Sequence, residues 1–253
     1  MISIDYGYAT HPGLKRQRNE DSYCVEPDLS LWGVADGMGG HASGEVASGI
    51  VVRELPRLIR QGQDLPLAIR EIHSLIQRSA AQGKGGADMG STVVAAKLDG
   101  THYQIAWVGD SRAYFWNGAL RQLTRDHSYV QLLLEAGLIE ESEMAGHPAR
   151  NIISQALGGP DRQEVQVDVV SGELAPGESL LLCSDGLNSD VSDEDIAAVL
   201  DEVADDRVRA NRLVEAALAA GGSDNITVVL LTAAESSADS TEDDEITRPP
   251  APR

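Results

Sequence analysis

Six acidic residues carry the chemistry this chain can offer. They are Glu20 and Asp21 in R-x-x-N-E-D, Asp36 in A-D-G-M-G-G-H, Asp110 in V-G-D-S-R, Asp185 in C-S-D-G-L and Asp224 in G-S-D-N-I-T-V. Asp36, Asp110 and Asp185 each end an apolar, strand-like run, so each carboxylate is expected where a strand stops and the chain turns sharply. Hard divalent cations prefer oxygen ligands, and several such strand ends brought together make a carboxylate cup for them. The pattern points to metal-assisted chemistry.

The elements that must position these groups follow from periodicity. Strands are expected at Ser3–Ala9 and Leu29–Ala35, the second leading into Asp36. A helix is expected from about Ser43 to Arg60, with Val46, Ile50, Val51, Leu55, Leu58 and Ile59 at helical spacing and Pro56 as a kink. A second runs from about Leu65 to Ala81, capped by Asp64 with Pro66 in its first turn. Hairpins follow: Thr92–Leu98 and His102–Val108 around Asp99-Gly100, then Arg112–Trp116 and Ala119–Leu123 around Asn117-Gly118. After an irregular stretch, strands return at Glu164–Val170 and Ser179–Cys183. Helices at about Ser192–Val203 and Asp206–Ala220 precede a last strand, Ile226–Leu231. Antiparallel strands after a helix pair argue for a segregated α+β architecture. Trp32, Trp107 and Trp116 fall in strands and read as core or sheet-face residues.

The totals narrow the function. A chain of 253 residues buries a sizeable core as one domain. A formal net charge of −20 disfavours nucleic acid, whose phosphate backbone demands a basic partner. Cys24 and Cys183 are isolated and read as reduced core residues. Residues Met1–Ala9 lack the layout of a signal, and no apolar run approaches the ~20 residues that span a bilayer, so a cytoplasmic protein is expected. Residues 235–253 are rich in Ser, Asp, Glu and Pro and read as a disordered acidic tail after a domain of residues 1–234.

Taken in order, the carboxylate motifs, with M-G-S-T-V-V at Met89–Val94 and L-x-P-G-E at Leu174–Glu178 between them, resemble the compact bacterial form of the type 2C metal-dependent serine/threonine protein phosphatases. The resemblance runs from about Tyr6 to Thr232. It implies two antiparallel sheets stacked face to face, a helix pair outside each, and an irregular flap at about residues 128–151. It also implies two to three divalent metals, Mn²⁺ or Mg²⁺, and direct hydrolysis of phosphoserine and phosphothreonine by a hydroxide bridging two of them. Phosphoproteins, a cognate serine/threonine kinase and its substrates are the implied partners, and the chain is taken as a monomer.

Carried onto this sequence, the resemblance makes Asp36 the ligand shared by both metals, with the Gly37 carbonyl beside it. Glu20 belongs to one metal, and Asp185 and Asp224 to the other. Asp21 accepts hydrogen bonds from metal-bound water, and Asp110 with Asp185 holds a third metal. Arg16 corresponds to the phosphate-binding arginine, whose planar fork suits two phosphate oxygens, while Arg18 matches no assigned role. The departure is Met38, where some relatives have the histidine proposed to protonate the leaving alkoxide. His41 is the nearest candidate for that acid, set against simple loop packing or a metal-bound water as donor. His147 in H-P-A-R-N matches a flap histidine, set against an incidental role. The alternatives are a phosphoprotein-binding pseudophosphatase, disfavoured because no expected ligand is missing, and a hydrolase of small phosphate esters.

Overall fold

Several strands of this chain are apolar on both faces, and such strands are stable only where both faces are covered. Ser179–Cys183 (S-L-L-L-C) is buried throughout, as are the first six residues of Ile226–Glu235. A computed structural model describes residues 2–39, 43–159, 163–202 and 204–235, and shows how the cover is supplied. The chain forms β1 (Ile2–His11), β2 (Asp21–Glu26), β3 (Leu31–Met38), α1 (Ser43–Arg60) and α2 (Leu65–Ala81). β4 (Gly90–Ser91), β5 (Val93–Asp99), β6 (His102–Val108), β7 (Arg112–Trp116) and β8 (Leu120–Gln122) follow. Next come α3 (Tyr129–Glu135), α4 (Glu141–Met144), β9 (Asp168–Glu173) and β10 (Ser179–Cys183). The last are α5 (Asp185–Asn188), α6 (Asp193–Leu200), α7 (Asp206–Ala220) and β11 (Ile226–Glu235).

The strands make two antiparallel sheets, in the orders β1-β11-β10-β7-β8 and β2-β3-β5-β6-β9, with β4 paired to the end of β3. Trp32, Val34, Val94 and Ile105 of one sheet meet Leu180, Leu182, Val229 and Leu231 of the other in the central layer. On the outer face of the second sheet, Leu31, Ala35, Ala95 and Ala106 pack against Val51, Leu55, Ile69 and Ile72 of α1 and α2. On the outer face of the first, Leu181, Cys183, Val228 and Leu230 pack against Ile196, Leu213 and Val214 of α6 and α7. This is the expected α+β sandwich with a helix pair outside each sheet. Trp32, Trp107 and Trp116 are buried in it, as are the free cysteines Cys24 and Cys183.

Local signals explain the helix ends. Asp64 accepts a hydrogen bond from the Leu67 amide at 2.8 Å and starts α2, and Asp205 does the same for the Val208 amide at the start of α7. α1 continues through Pro56 to Arg60 without ending there. Other expectations shift. Asp36 lies inside β3, opposite Asp21, and β2 itself was not anticipated. The first hairpin turns on Gly100-Thr101, because Asp99 still pairs with His102. Gly100 has φ +60, as the first central residue of a II′ turn requires. β9 starts at Asp168, although Val165 and Val167 before it are buried. Their backbone neighbour is a side chain: the Gln155 amide both accepts from the Gln166 N–H (3.1 Å) and donates to the Gln166 carbonyl (2.7 Å).

β11 extends to Glu235, which pairs with Ile2, one residue past the expected domain end. The expected tail from residue 236 onward lies outside the described residues, as do His41 and Val203; the helix expected to reach Val203 ends at Leu200, with Asp201 as its C-cap. Among the described residues, no helix is long and apolar enough to cross a membrane.

Candidate active site

The acidic motifs converge where β2, β3, β10 and β11 begin or end on one rim of the sandwich. An open cleft of about 760 Å³ there is lined by Arg16, Arg18, Glu20, Asp36, Gly37, Met38, Asp185, Asp224 and Asn225, with Asn151, the last residue of the segment expected to be the flap, and Ile153 just beyond it reaching in. Asp36 is fixed through its backbone. Its N–H donates to Thr92 Oγ1 at 3.0 Å, and its carbonyl accepts from the Thr92 amide (2.8 Å) and Ser91 Oγ (3.1 Å). Gly37 has no room for a side chain. A Cβ there would lie 2.1 Å from the Gly44 carbonyl oxygen and 2.6 Å from that of Glu20, so the start of α1 packs directly on the end of β3.

Asp21 is buried behind Asp36 and outside the cleft lining. One of its oxygens accepts from Ser184 Oγ at 2.7 Å and the other has no hydrogen-bond partner. Burial pushes its pKa up to about 7, against the Ser184 contact, with Asp185 and Asp224 adding to the rise. Burial and the Asp224 charge raise Asp185 to about 6, although its carboxyl is within hydrogen-bonding reach of Asp36. Asp36 is driven well above the ordinary carboxylate range, first by burial and then by the charges of Asp21, Asp185, Asp110 and Asp224. Burial also raises Glu20. Like charges held this close and this dry favour either protons or a counter-cation.

Asp224 and Arg16, given separate roles by the resemblance, are paired with each other: Arg16 Nη2 donates to Asp224 Oδ2 at 2.7 Å. Asp110 is 7% exposed and falls outside this cleft, in an adjoining cavity that shares Asp185 and Asn151 with it. His147 lines neither space; its Nδ1 accepts from the Ala149 amide at 3.1 Å within its own turn.

The donor set suits hard divalent cations. All the side-chain donors are carboxylates, and Asp21, Asp110 and Asp185 each keep a buried oxygen without a partner. No group of three or more His, Cys, Asp or Glu among the described residues is drawn into a ready-made shell. That agrees with the engagement of Asp224 by Arg16 and with the mutual repulsion of the carboxylates. Mg²⁺-like ions also keep several waters and take only one or two carboxylates each.

A sequence profile described as "Protein phosphatase 2C" matches residues 14–220. The chain belongs to the protein phosphatase 2C family. It is 40% identical over 238 residues to the serine/threonine protein phosphatase PstP of Mycobacterium tuberculosis, covering 90% of this chain and 45% of PstP. It thus spans about half the length of that relative. It is 37% identical over 238 residues to the serine/threonine phosphatase stp of Listeria welshimeri, covering 88% of this chain and 94% of stp. The crystal structure of the PstP catalytic domain in complex with two manganese ions superposes with a TM-score of 0.83 at 35% identity. It covers 93% of this chain and all of that one.

In this type 2C chain several supporting residues escaped the sequence reading. Asn225 is buried and pins the Arg16 loop: its Oδ1 accepts from the Glu20 amide (2.8 Å) and its Nδ2 donates to the carbonyls of Pro12 (2.9 Å) and Arg18 (2.8 Å). The signal was its place directly after Asp224. Arg112 grips Asp126 through Nε (3.0 and 3.1 Å) and Nη2 (2.7 Å). His127 Nδ1 accepts from the Gly109 amide at 3.1 Å, while the His127 amide donates to the Gly109 carbonyl at 2.9 Å. The Asp110 loop is therefore bolted to the root of the segment carrying α3 and α4. Arg112 was visible within V-G-D-S-R, but nothing in that motif names its partner.

Proposed function

We propose that this chain hydrolyses phosphoserine and phosphothreonine esters in proteins, with residues 1–234 as the catalytic unit and residues 128–151 as a flap beside the cleft. The observation that carries this reading is the convergence of Glu20, Asp36, Asp185 and Asp224 with Arg16 and Arg18 along one open cleft, in a chain of the type 2C family. Asp36 would be the ligand shared by two divalent cations, Mn²⁺ or Mg²⁺, with the Gly37 carbonyl as a further ligand, Glu20 belonging to one site and Asp185 and Asp224 to the other. Asp110 with Asp185 would hold a third. When bound, such cations supply Lewis acidity that lowers the pKa of water, and counter-charge for a dianionic ester.

The chain's own groups do the rest. The Arg16 side chain is 57% exposed and held by one carboxylate oxygen, so it can turn its planar fork to the oxygens of a phosphate. The Thr92 clamp fixes Asp36, and Asn225 fixes the backbone that carries Arg16 and Glu20. Asp21, held by Ser184, keeps one free oxygen to orient water behind the centre. Met38 lines the cleft but carries no transferable proton, so the acid for a serine or threonine alkoxide must be another group. His41 retains that candidacy. His147, the flap histidine, lies outside the cleft lining and accepts at Nδ1 from its own turn, which supports the incidental role in this conformation.

The names of the relatives support protein substrates, the products of a serine/threonine kinase. The net charge of −20 argues against nucleic acid, and we place the activity in the cytoplasm, as a monomer. The test is turnover of a phosphothreonine peptide with Mn²⁺ and with EDTA. Hydrolysis that requires the cation is expected. Hydrolysis that survives EDTA, or none with Mn²⁺ or Mg²⁺, would overturn the proposal.

A further inference from the structure

Beside the cleft lies a second cavity of about 360 Å³, at the small end of the range for ligand pockets. One wall is aliphatic, formed by Val130, Leu134 and Met144 of the flap. Neutral amides and hydroxyls make up much of the polar lining, and the charged groups in it are mostly acidic. Asp110 is buried at the floor with Oδ1 unpartnered, while Glu141 and Asp193 are exposed at the mouth. The two arginines in the lining do not balance this charge. Arg112 is engaged by the Asp126 carboxylate and the Tyr114 hydroxyl (3.0 Å), which leaves Arg150 against Asp110, Glu141, Asp185 and Asp193. An apolar wall ending in unpaired carboxylates fits a long side chain with a cationic head and little else. An acidic group would be repelled, and an apolar one would leave the buried Asp110 oxygen unpaired.

We propose that this cavity is a specificity site for a lysine or arginine near the phosphorylated residue of the substrate. The stem lies on Val130, Leu134 and Met144, and the head points to Asp110, with Glu141 and Asp193 drawing it in. The site rests on the phosphatase reading above, because the cavity joins the catalytic cleft through Asp185 and Asn151. Asp110 and Asp185 are also the residues expected to hold the third cation, so a basic side chain and that cation compete. Raising Mn²⁺ beyond what the two main sites need should therefore erode the preference.

The experiment is a set of phosphothreonine peptides in which one flanking position at a time carries either lysine or its uncharged analogue norleucine. At one position or more, lysine should raise kcat/KM roughly tenfold through KM, the order of one charge-assisted contact. Glu141→Gln with Asp193→Asn should lower the lysine-to-norleucine ratio severalfold, Asp110 keeping the rest. A ratio near one at every position in the unaltered protein would overturn the proposal, and so would a preference undiminished in the double variant. Failure to hydrolyse even the norleucine peptides would instead strike the phosphatase reading. Fluorescence polarisation of the same peptides in EDTA then decides the cavity by itself. Tighter lysine-peptide binding that the double variant weakens supports the site; equal binding of both peptides overturns it.

Discussion

Two arginine–aspartate pairs border the carboxylate centre, and their geometry separates a fixed contact from a movable one. Arg112 and Asp126, 22% and 11% exposed, share three N–H···O contacts from Nε and Nη2, and Tyr114 accepts from the third nitrogen, Nη1, of the same guanidinium. Burial disfavours the Arg112 charge, yet Asp126 and Tyr114 more than reverse that and hold its proton affinity above the ordinary value. Arg16 makes one contact with Asp224, at 57% and 32% exposure, and its proton affinity rises chiefly through that hydrogen bond. Both contacts include an N···O distance of 2.7 Å. Length therefore does not distinguish the pairs; burial and multiplicity do. A group that must trade a carboxylate for a phosphate belongs at the exposed end of that range.

The contrast has functional meaning only if the centre between the pairs is catalytic. Asp36→Asn should reduce kcat by about a thousandfold, the order found for removing a fixed charge-stabilising group. Calorimetry should show cation binding sharply weakened if, as proposed, one side chain serves two sites. Unchanged cation binding would disprove the shared role.

The centre should also betray itself through pH. Asp185, Asp110 and Asp21 have folded pKa values raised to about 6, 8 and 7, above the ordinary 3.8. A raised carboxylate binds its proton more tightly in the folded state. Its stabilising contribution is complete below about pH 4 and is lost as pH rises through the folded value. In EDTA, urea midpoints should therefore fall between about pH 4 and pH 8, and saturating Mn²⁺ should remove the fall. Arg112 stays charged across that window, so a slope that persists in Mn²⁺ would locate the effect outside the centre.

Arg112→Ala tests the fixed pair. Removing one partner of a buried ion pair strands the other, and a loss of about 3 kcal/mol is expected in urea unfolding. A loss below about 1 kcal/mol would place Arg112 with ordinary surface pairs and dissolve the contrast.

How much of this was legible without coordinates depends on the range of the interaction. The bounds of α1, α2 and α7 follow from local caps and helical spacing, and those of β6, β7 and β10 from turns and apolar runs. The carboxylates were legible because each sits in a short motif close to a strand end, although Asp36 falls inside β3. β2 was not among the expected strands, because only Asp21 of its six residues belongs to a motif and Cys24 had been read simply as a core residue. β9 was placed early because the burial of Val165 and Val167 imitates a strand whose actual neighbour is the Gln155 side chain. The partners of Asn225, His127 and Arg112 were beyond reach, since each contact joins segments that meet only in the fold. The pairing of Arg16 with Asp224, 208 residues apart in sequence, belongs to the same class.

Arg16→Ala should give the smallest structural effect and the most selective functional one. An exposed pair contributes roughly 0–1 kcal/mol, so urea unfolding should barely change. KM for a phosphothreonine peptide should rise about tenfold, the equivalent of roughly 1.4 kcal/mol, with a lesser change in kcat. Arg16→Lys should recover only part of the loss, because an ammonium keeps the charge but cannot span two phosphate oxygens. If Arg16→Ala destabilised the fold as much as Arg112→Ala, the exposed pair would be structural and Arg16 would not be free to receive phosphate. If it altered cation affinity with no effect on KM, its role would lie in holding Asp224 alone. A rise in KM on an intact fold is the one result that leaves Arg16 as the movable member and Arg112 as the fixed one.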